Sequence, residues 1–195
     1  MFLLRRPSPA LIGRILESQR SAPFSYPEPG MTRRDDVDGY PRNHHQASIG
    51  SGADVYLRTV AAVQGWAMYD MPWTEVHPAG IPVQAGATLA TVIHHLGFWS
   101  INPCRIVYVD EQETARFRRF AFAIGTLPLH SEVGEERFLV EWDRETDAVR
   151  FEILAYAGPR HWMARVGGRY VTMLQRRFGR EALRAVAARV QPARP

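Results

Sequence analysis

Leu11, Ile12, Ile15 and Leu16 recur at helical spacing behind Ser8 and Pro9, which predicts a short amphipathic helix over residues 9–20. The next stretch holds Pro23, Pro27, Pro29, Gly30, Gly39 and Pro41, too many breakers for a regular element. It also carries Phe24, Tyr26 and Tyr40, costly residues to leave in water, so it is expected to wrap over the domain as an arm. Residues 44–49 suit a short strand. Ser51 and Asp54 then punctuate the start of a helix carrying Val55, Val60, Val63 and Trp66. Beyond Pro72, strand composition recurs at about 74–78, 87–96, 103–110, 116–125, 135–143 and 147–156, with Pro, Gly, Asp or charged turns between. No helix-sized segment separates neighbouring strands, so the sheet is expected to be antiparallel. A long amphipathic helix is predicted from Pro159 to about Val190. Met163, Val166, Tyr170, Leu174, Leu183 and Val186 form its apolar stripe, and Arg165, Arg169, Arg176, Arg180 and Arg184 lie largely off it. Gly167 and Gly168 suggest a bend near its start.

This order implies an α+β fold with helices on one face of a curved antiparallel sheet of about six or seven strands. Residues 1–42 are expected to form an N-terminal extension, residues 43–190 the domain proper and residues 191–195 a tail. A chain of 195 residues is long enough for one substantial core. Its content, 46% hydrophobic and 23% charged, is that of an ordered globular protein.

All 24 basic residues are arginine, which excludes Schiff-base chemistry, a phosphate-loop lysine and a lysine general base. A net charge of +4 without a basic motif reads as compositional bias, so nucleic acid is not expected as a partner. The arginine face of the last helix reads as a solvated face, with an acidic partner as the sharper alternative. Cys104 stands alone, which excludes an internal disulfide and is compatible with a reducing cytoplasm. No apolar run is long enough for a membrane-spanning helix. The pairs His44-His45 and His94-His95 point to opposite faces of a strand and cannot easily share one metal, so neither a metal nor another cofactor is expected. Gly50-Ser51-Gly52 lacks the lysine of a phosphate loop, and no serine nucleophile elbow is present.

The candidate chemistry lies between Gly125 and Trp142. In the strand from Glu135, alternation puts Glu136 on one face with Phe138, Val140 and Trp142, and Glu135, Arg137, Leu139 and Glu141 on the other. An inward Glu136 must be paired, hydrogen-bonded or protonated, which suits a general acid or, equally, an ion pair with an arginine at the strand end. His130, in the preceding turn, is placed to exchange protons with it or to bond backbone instead. Asn102 and Arg105 sit on another strand, where Arg105 is suited to a ligand carboxylate or to a structural ion pair. Tyr26, Tyr40, Tyr108 and Tyr156 are hydroxyl donors for a cavity or ordinary core residues.

The order of elements resembles the helix-grip fold of the START and birch-pollen-allergen superfamily, in which a sheet curls around the last helix and leaves an apolar cavity. Six blocks in order also look like the uncharacterised family known as domain of unknown function 1990. They are Phe24-Ser-Tyr-Pro-Glu-Pro-Gly-Met-Thr-Arg33, Ile49-Gly-Ser-Gly52, Asn102-Pro-Cys-Arg-Ile-Val-Tyr108, Gly125-Thr-Leu-Pro-Leu-His130, Gly134-Glu-Glu-Arg-Phe138 and Gly158-Pro-Arg-His161. The chain departs from that pattern at Pro29 and Met31. The resemblance implies a cavity for a small, largely apolar or aromatic molecule. Tyr26, Asn102, Arg105, Tyr108, Phe122, Phe138, Trp142 and Tyr170 are then the expected ligand-binding residues. Catalysis, if present, is expected to be cofactor-free cyclisation, isomerisation or dehydration by His130 and Glu136. A ligand carrier or sensor, and an interaction protein using the arginine face, are the alternatives.

Overall fold

The computed structural model describes residues 2–34, 36–159 and 168–191, and the side chains of all of these except residues 159 and 168–172. Strand β1 (Phe2–Leu3) and helix α1 (Pro9–Gln19) precede β2 (Arg42–Ser51) and α2 (Ala53–Gln64). Strands β3 (Thr74–His77), β4 (Thr88–His95), β5 (Phe98–Glu113), β6 (Phe117–Thr126), β7 (Glu132–Asp143) and β8 (Ala148–Pro159) follow, and helix α3 (Gly168–Val190) closes the chain. The sheet runs β2-β8-β7-β6-β5-β4-β3 with every pair antiparallel, and β1 pairs with β5 as well. Register shifts in β2 between Ser48 and Gly50 and in β5 between Ile106 and Tyr108 are the bulges that bend such a sheet.

Most elements fall where the apolar pattern puts them. Helix α1 starts as expected, with Pro9 in its first turn and the Ser8 hydroxyl accepting from the Leu11 amide at 3.2 Å. Helix α2 is capped differently: its N-cap is Gly52, with no side-chain bond, and Asp54 instead pairs with Arg58 one turn on. Strand β8 runs to Pro159, where the last helix is predicted to start, and the helix is described over Gly168–Val190. The expected contributions of Met163, Val166 and Gly167 lie outside the described residues, as does the tail from residue 192. In α3, Ala182, Val186 and Val190 are buried with Phe178, Leu183 and Ala187 packed beside them, whereas Arg176, Arg180 and Arg184 are exposed.

The concave face of the sheet, α2 and α3 enclose the main core, which includes Val63, Trp66, Phe120, Phe122, Phe138, Phe151 and Val186. Phe122 lies 5.3 Å from Trp66 and 5.1 Å from Phe138, ring centre to ring centre. The convex face is covered by the N-terminal residues. Ile12 and Ile15 of α1 pack on Ala90, Val92 and Ile101, and Tyr26 and Met31 of the arm pack on Leu154 and Tyr156.

Arg105 fastens α1. Its guanidinium donates to the backbone carbonyls of Gln19 and Ala22 at 2.9 Å and of Arg20 at 2.8 Å, a cation placed on the free carbonyls of a helix C-terminus. Replacing Arg105 with alanine is expected to lower stability by about 2 kcal/mol, the order of one lost set of charge-assisted bonds. Chemical denaturation measures this, and a change below about 0.5 kcal/mol would be that of an ordinary surface substitution.

Candidate functional site

The inward-facing residues of five strands change character at the same end of the sheet. Strand β6 goes from Phe120 and Phe122 to Ile124 and Thr126, β8 from Phe151 and Ile153 to Ala155 and Ala157, and β7 from Val140 and Phe138 to Glu136, Gly134 and Glu132. Strand β5 goes from Ile106 to Cys104, Asn102 and Ser100, and β4 from Leu89 to Thr91, Ile93 and His95. Large apolar side chains fill one end. At the other, small and polar ones leave a cavity of about 310 Å³.

Helix α3 closes over that space with Leu174, Gln175 and Phe178, and the irregular segment after α2 contributes Tyr69 and Trp73. Gly65 ends α2, Trp66 turns with φ 62°, and the Trp66 indole donates to the Ile81 carbonyl at 2.8 Å. This turn aims Tyr69 between sheet and helix, 5.1 Å from Phe178 by ring centres. The Trp73 indole donates to Glu181 of α3 at 2.6 Å. Helix and sheet are in tight contact where Gly179 meets His45: a Cβ at Gly179 would overlap the His45 ring.

Glu136 lies inside the cavity, with the Tyr69 hydroxyl 3.4 Å from its carboxylate. Burial and then the neighbouring Glu132 push its pKa up to about 8, with the Tyr69 contact acting the other way. Burial also raises Glu132, against the Gln175 amide that donates to it at 2.7 Å. The Tyr69 hydroxyl is raised well above its ordinary value by burial and by Glu136. His130 lines the same cavity, and its Nδ1 accepts the Glu132 backbone amide at 2.8 Å, so a neutral ring carries its proton on Nε2. Asn102, 4% exposed, donates to Ser100 at 3.0 Å and accepts from Ser131 at 2.8 Å. Cys104 is buried against the cavity, which pushes its thiol pKa up.

Of the residues singled out from the sequence, His130, Glu136 and Asn102 therefore share the cavity. Arg105, Tyr26, Tyr108, Phe122, Phe138 and Trp142 do not line it. Arg105 is on the convex face, holding α1. Tyr26 is also convex, its hydroxyl donating to Glu135 at 2.6 Å. Tyr108 follows the β5 bulge onto that side, bonded to Thr32 at 2.9 Å and covered by Arg33, and burial pushes it up to about 12. Phe122 and Phe138 face inward but belong to the filled end. Trp142 lies farther along β7, its indole bonded to Asp147 at 2.9 Å. The Tyr170 side chain lies outside the described residues.

Reading the strand from Glu135 hid Glu132 and Gly134, which the same alternation places beside Glu136. Ser100 was missed because β5 begins five residues before the predicted strand. Tyr69 and Trp73 follow no periodic pattern. Among the described residues, no group of three or more His, Cys, Asp or Glu is placed to hold a metal ion, and no helix is long and apolar enough to cross a membrane.

A curved antiparallel sheet with a C-terminal helix across its concave face, and a cavity between them, is a helix-grip fold. More particularly, residues 25–185 match the family model described as domain of unknown function (DUF1990), and the chain belongs to that family. It is 34% identical to a UPF0548 protein of Arabidopsis thaliana over 80% of this chain and 76% of that one. It is 32% identical to a UPF0548 protein of Deinococcus radiodurans over 94% of this chain and 96% of that one. Among solved structures it resembles a hypothetical protein of Helicobacter pylori, with a TM-score of 0.52 and 11% identity over 86% of this chain and 96% of that one. A looser likeness is to the ginseng major latex-like protein 151, with a TM-score of 0.46 and 18% identity over 79% of this chain and all of that one.

Proposed function

We propose that this protein binds a small, largely apolar or aromatic molecule in the cavity between the sheet and α3. The observation that carries the reading is the coordinated change from large to small inward side chains in five strands, which leaves about 310 Å³ at one end. That volume is within the range of roughly 300–1,000 Å³ usual for small-molecule pockets. Tyr69, Trp73, Ile93 and Phe178 supply apolar wall, and a few convergent polar groups supply orientation. The lone, buried Cys104 supports a cytoplasmic setting.

Native mass spectrometry of freshly purified protein is expected to show a co-purifying small molecule. Ala155, on the cavity floor opposite Glu136 in the ladder, is the position to block. Ala155→Phe should lose the bound mass while keeping a cooperative thermal transition. Retention of the same mass by the variant would place the ligand elsewhere.

A catalytic reading, cofactor-free acid–base work such as cyclisation, isomerisation or dehydration, is favoured by one further feature. Burial pushes the Glu136 pKa up to about 8 in a cavity that His130 also lines, so this carboxyl is suited to exchange a proton near neutral pH. With the co-purified molecule as substrate, Glu136→Gln is expected to abolish turnover and retain binding. Undiminished turnover removes Glu136 from the mechanism, and no turnover by the unaltered protein leaves a carrier or sensor.

A further inference from the structure

Glu132 and Glu136 differ from the other shielded carboxylates of this protein. Glu152 is matched by Arg137 at 2.6 Å, Asp110 by Arg33 at 2.8 Å and Glu141 by Arg119 at 2.6 Å. Glu135, fully buried on the convex face, accepts four hydrogen bonds from the arm. Among the described residues, Glu132 has the Gln175 amide and Glu136 the long Tyr69 contact, and no arginine lines their cavity. Two carboxyls lining one cavity, with no positive charge beside them among the described residues, make an arrangement that a cation stabilises and an anion does not.

Two further features belong to the same space. Thr91 and Ser100, 5% and 3% exposed, line the cavity next to Asn102, and the Thr91 hydroxyl forms no hydrogen bond among the described residues. A buried hydroxyl left open toward a cavity can accept from, or donate to, the polar end of a ligand. The other feature is the aromatic wall. The Tyr69 hydroxyl meets Glu136, and Phe178 stands between Tyr69 at 5.1 Å and Trp73 at 6.3 Å, so aromatic rings form the wall beside the acid end. Aromatic faces beside carboxylates attract an ammonium group.

We propose that the ligand of this cavity carries a basic nitrogen, a protonated amine on an apolar or aromatic frame, whose ammonium end meets Glu136 and Glu132. The proposal rests on the ligand-binding reading above and names its chemical class. Binding couples to a proton. At pH 7 Glu136 is mostly neutral, and an ammonium ion bound against it takes the carboxylate form, releasing the carboxyl proton to solvent. Among the described residues, the titratable groups that line the cavity with Glu136 are Glu132 on its own strand, Tyr69, Cys104, His130 and His95; the described part of α3 faces the cavity with the neutral Gln175, and β6 and β8 with Ile124, Thr126, Ala155 and Ala157.

The test uses three compounds on one frame, 4-phenylbutylamine, 4-phenylbutan-1-ol and 4-phenylbutyrate, with the full chain in isothermal titration calorimetry. The amine is expected to bind at least tenfold more tightly than the alcohol, and the carboxylate most weakly. In buffers of different ionisation enthalpy, close to one proton should be released per amine at pH 7. Amine affinity should rise about tenfold from pH 7 to pH 9, where Glu136 ionises but the amine is still charged. Glu136→Gln should remove the proton release and lower amine affinity tenfold or more; Glu132→Gln should lower it less. Equal or tighter binding of the alcohol or the carboxylate by the unaltered protein overturns the amine proposal and leaves the ligand-binding reading standing. No binding of any of the three at millimolar concentration overturns both. The comparison of compounds on the unaltered protein decides the matter even if a variant does not fold.

Discussion

Glu135→Ala is expected to lose on the order of 4 kcal/mol of stability and to release the N-terminal arm. The carboxylate of Glu135 is 1% exposed. It accepts from the Tyr26 hydroxyl at 2.6 Å, the Gly30 amide at 2.7 Å, the Thr32 amide at 3.0 Å and the Thr32 hydroxyl. Hydrogen bonds to a charged group contribute roughly 1.5–3 kcal/mol each, and removing the acceptor leaves buried donors unsatisfied. The bonded residues span a turn of the arm in which Gly30 has φ 93° and residues Met31–Arg33 form a single 3-10 turn, so one side chain organises the whole bend. Chemical denaturation gives the energy, and limited proteolysis at Arg33 and Arg34 gives the release. Glu135→Gln should fall between the two, since an amide keeps one acceptor oxygen and adds donors where donors already crowd. A loss below about 1 kcal/mol for the alanine variant, with the arm still protected, would mean the arm is held by its apolar contacts alone.

Gly134→Ala is expected to cost as much or more, upward of about 3 kcal/mol, with loss of the cooperative transition as the extreme outcome. Gly134 has φ 147°, a conformation that suits glycine, and an added Cβ would overlap the Tyr156 carbonyl oxygen and lie 2.6 Å from the Ala157 Cα. These are backbone atoms of the paired strand β8, so no side chain can swing aside; β7 and β8 would have to separate. The effect should reach the site, because Gly134 lies between Glu132 and Glu136 on the inward face. Circular dichroism with urea titration measures it, and an unchanged midpoint would show that the ladder relaxes there at little cost.

These two neighbours show how much of the site was legible along the chain. Alternation places Glu136 inward and Glu135 outward, and the structure agrees. Alternation fixes a face, however, and not a depth along the strand. Phe138 and Trp142 share the face of Glu136 but lie toward the filled end, and Phe122 on β6 does likewise, so a correct face led to residues that pack and do not line. Tyr26 and Arg105 were assigned to a cavity because aromatic and cationic groups suit ligands. Both work on the convex face, whose covering by the arm and α1 depends on contacts more than 80 residues apart in sequence.

The strand alternation, the helical stripes, the breakers of the arm and the family blocks are local properties, carried by side-chain period and backbone preference over a few residues. They were sufficient for an antiparallel sheet, an amphipathic last helix and the inward face of Glu136. The location of the cavity was decided by the tertiary structure, because it arises where the small and polar ends of five strands coincide under Leu174, Gln175 and Phe178, and that coincidence depends on inter-strand register. The irregular placement of Tyr69 and Trp73 was decided there too, by the left-handed turn at Trp66 and by the packing of Phe178 between the two rings. So was the electrostatics of Glu132 and Glu136: arginines pair with Glu152, Asp110 and Glu141, the arm's donors hold Glu135, and among the described residues no cation faces these two.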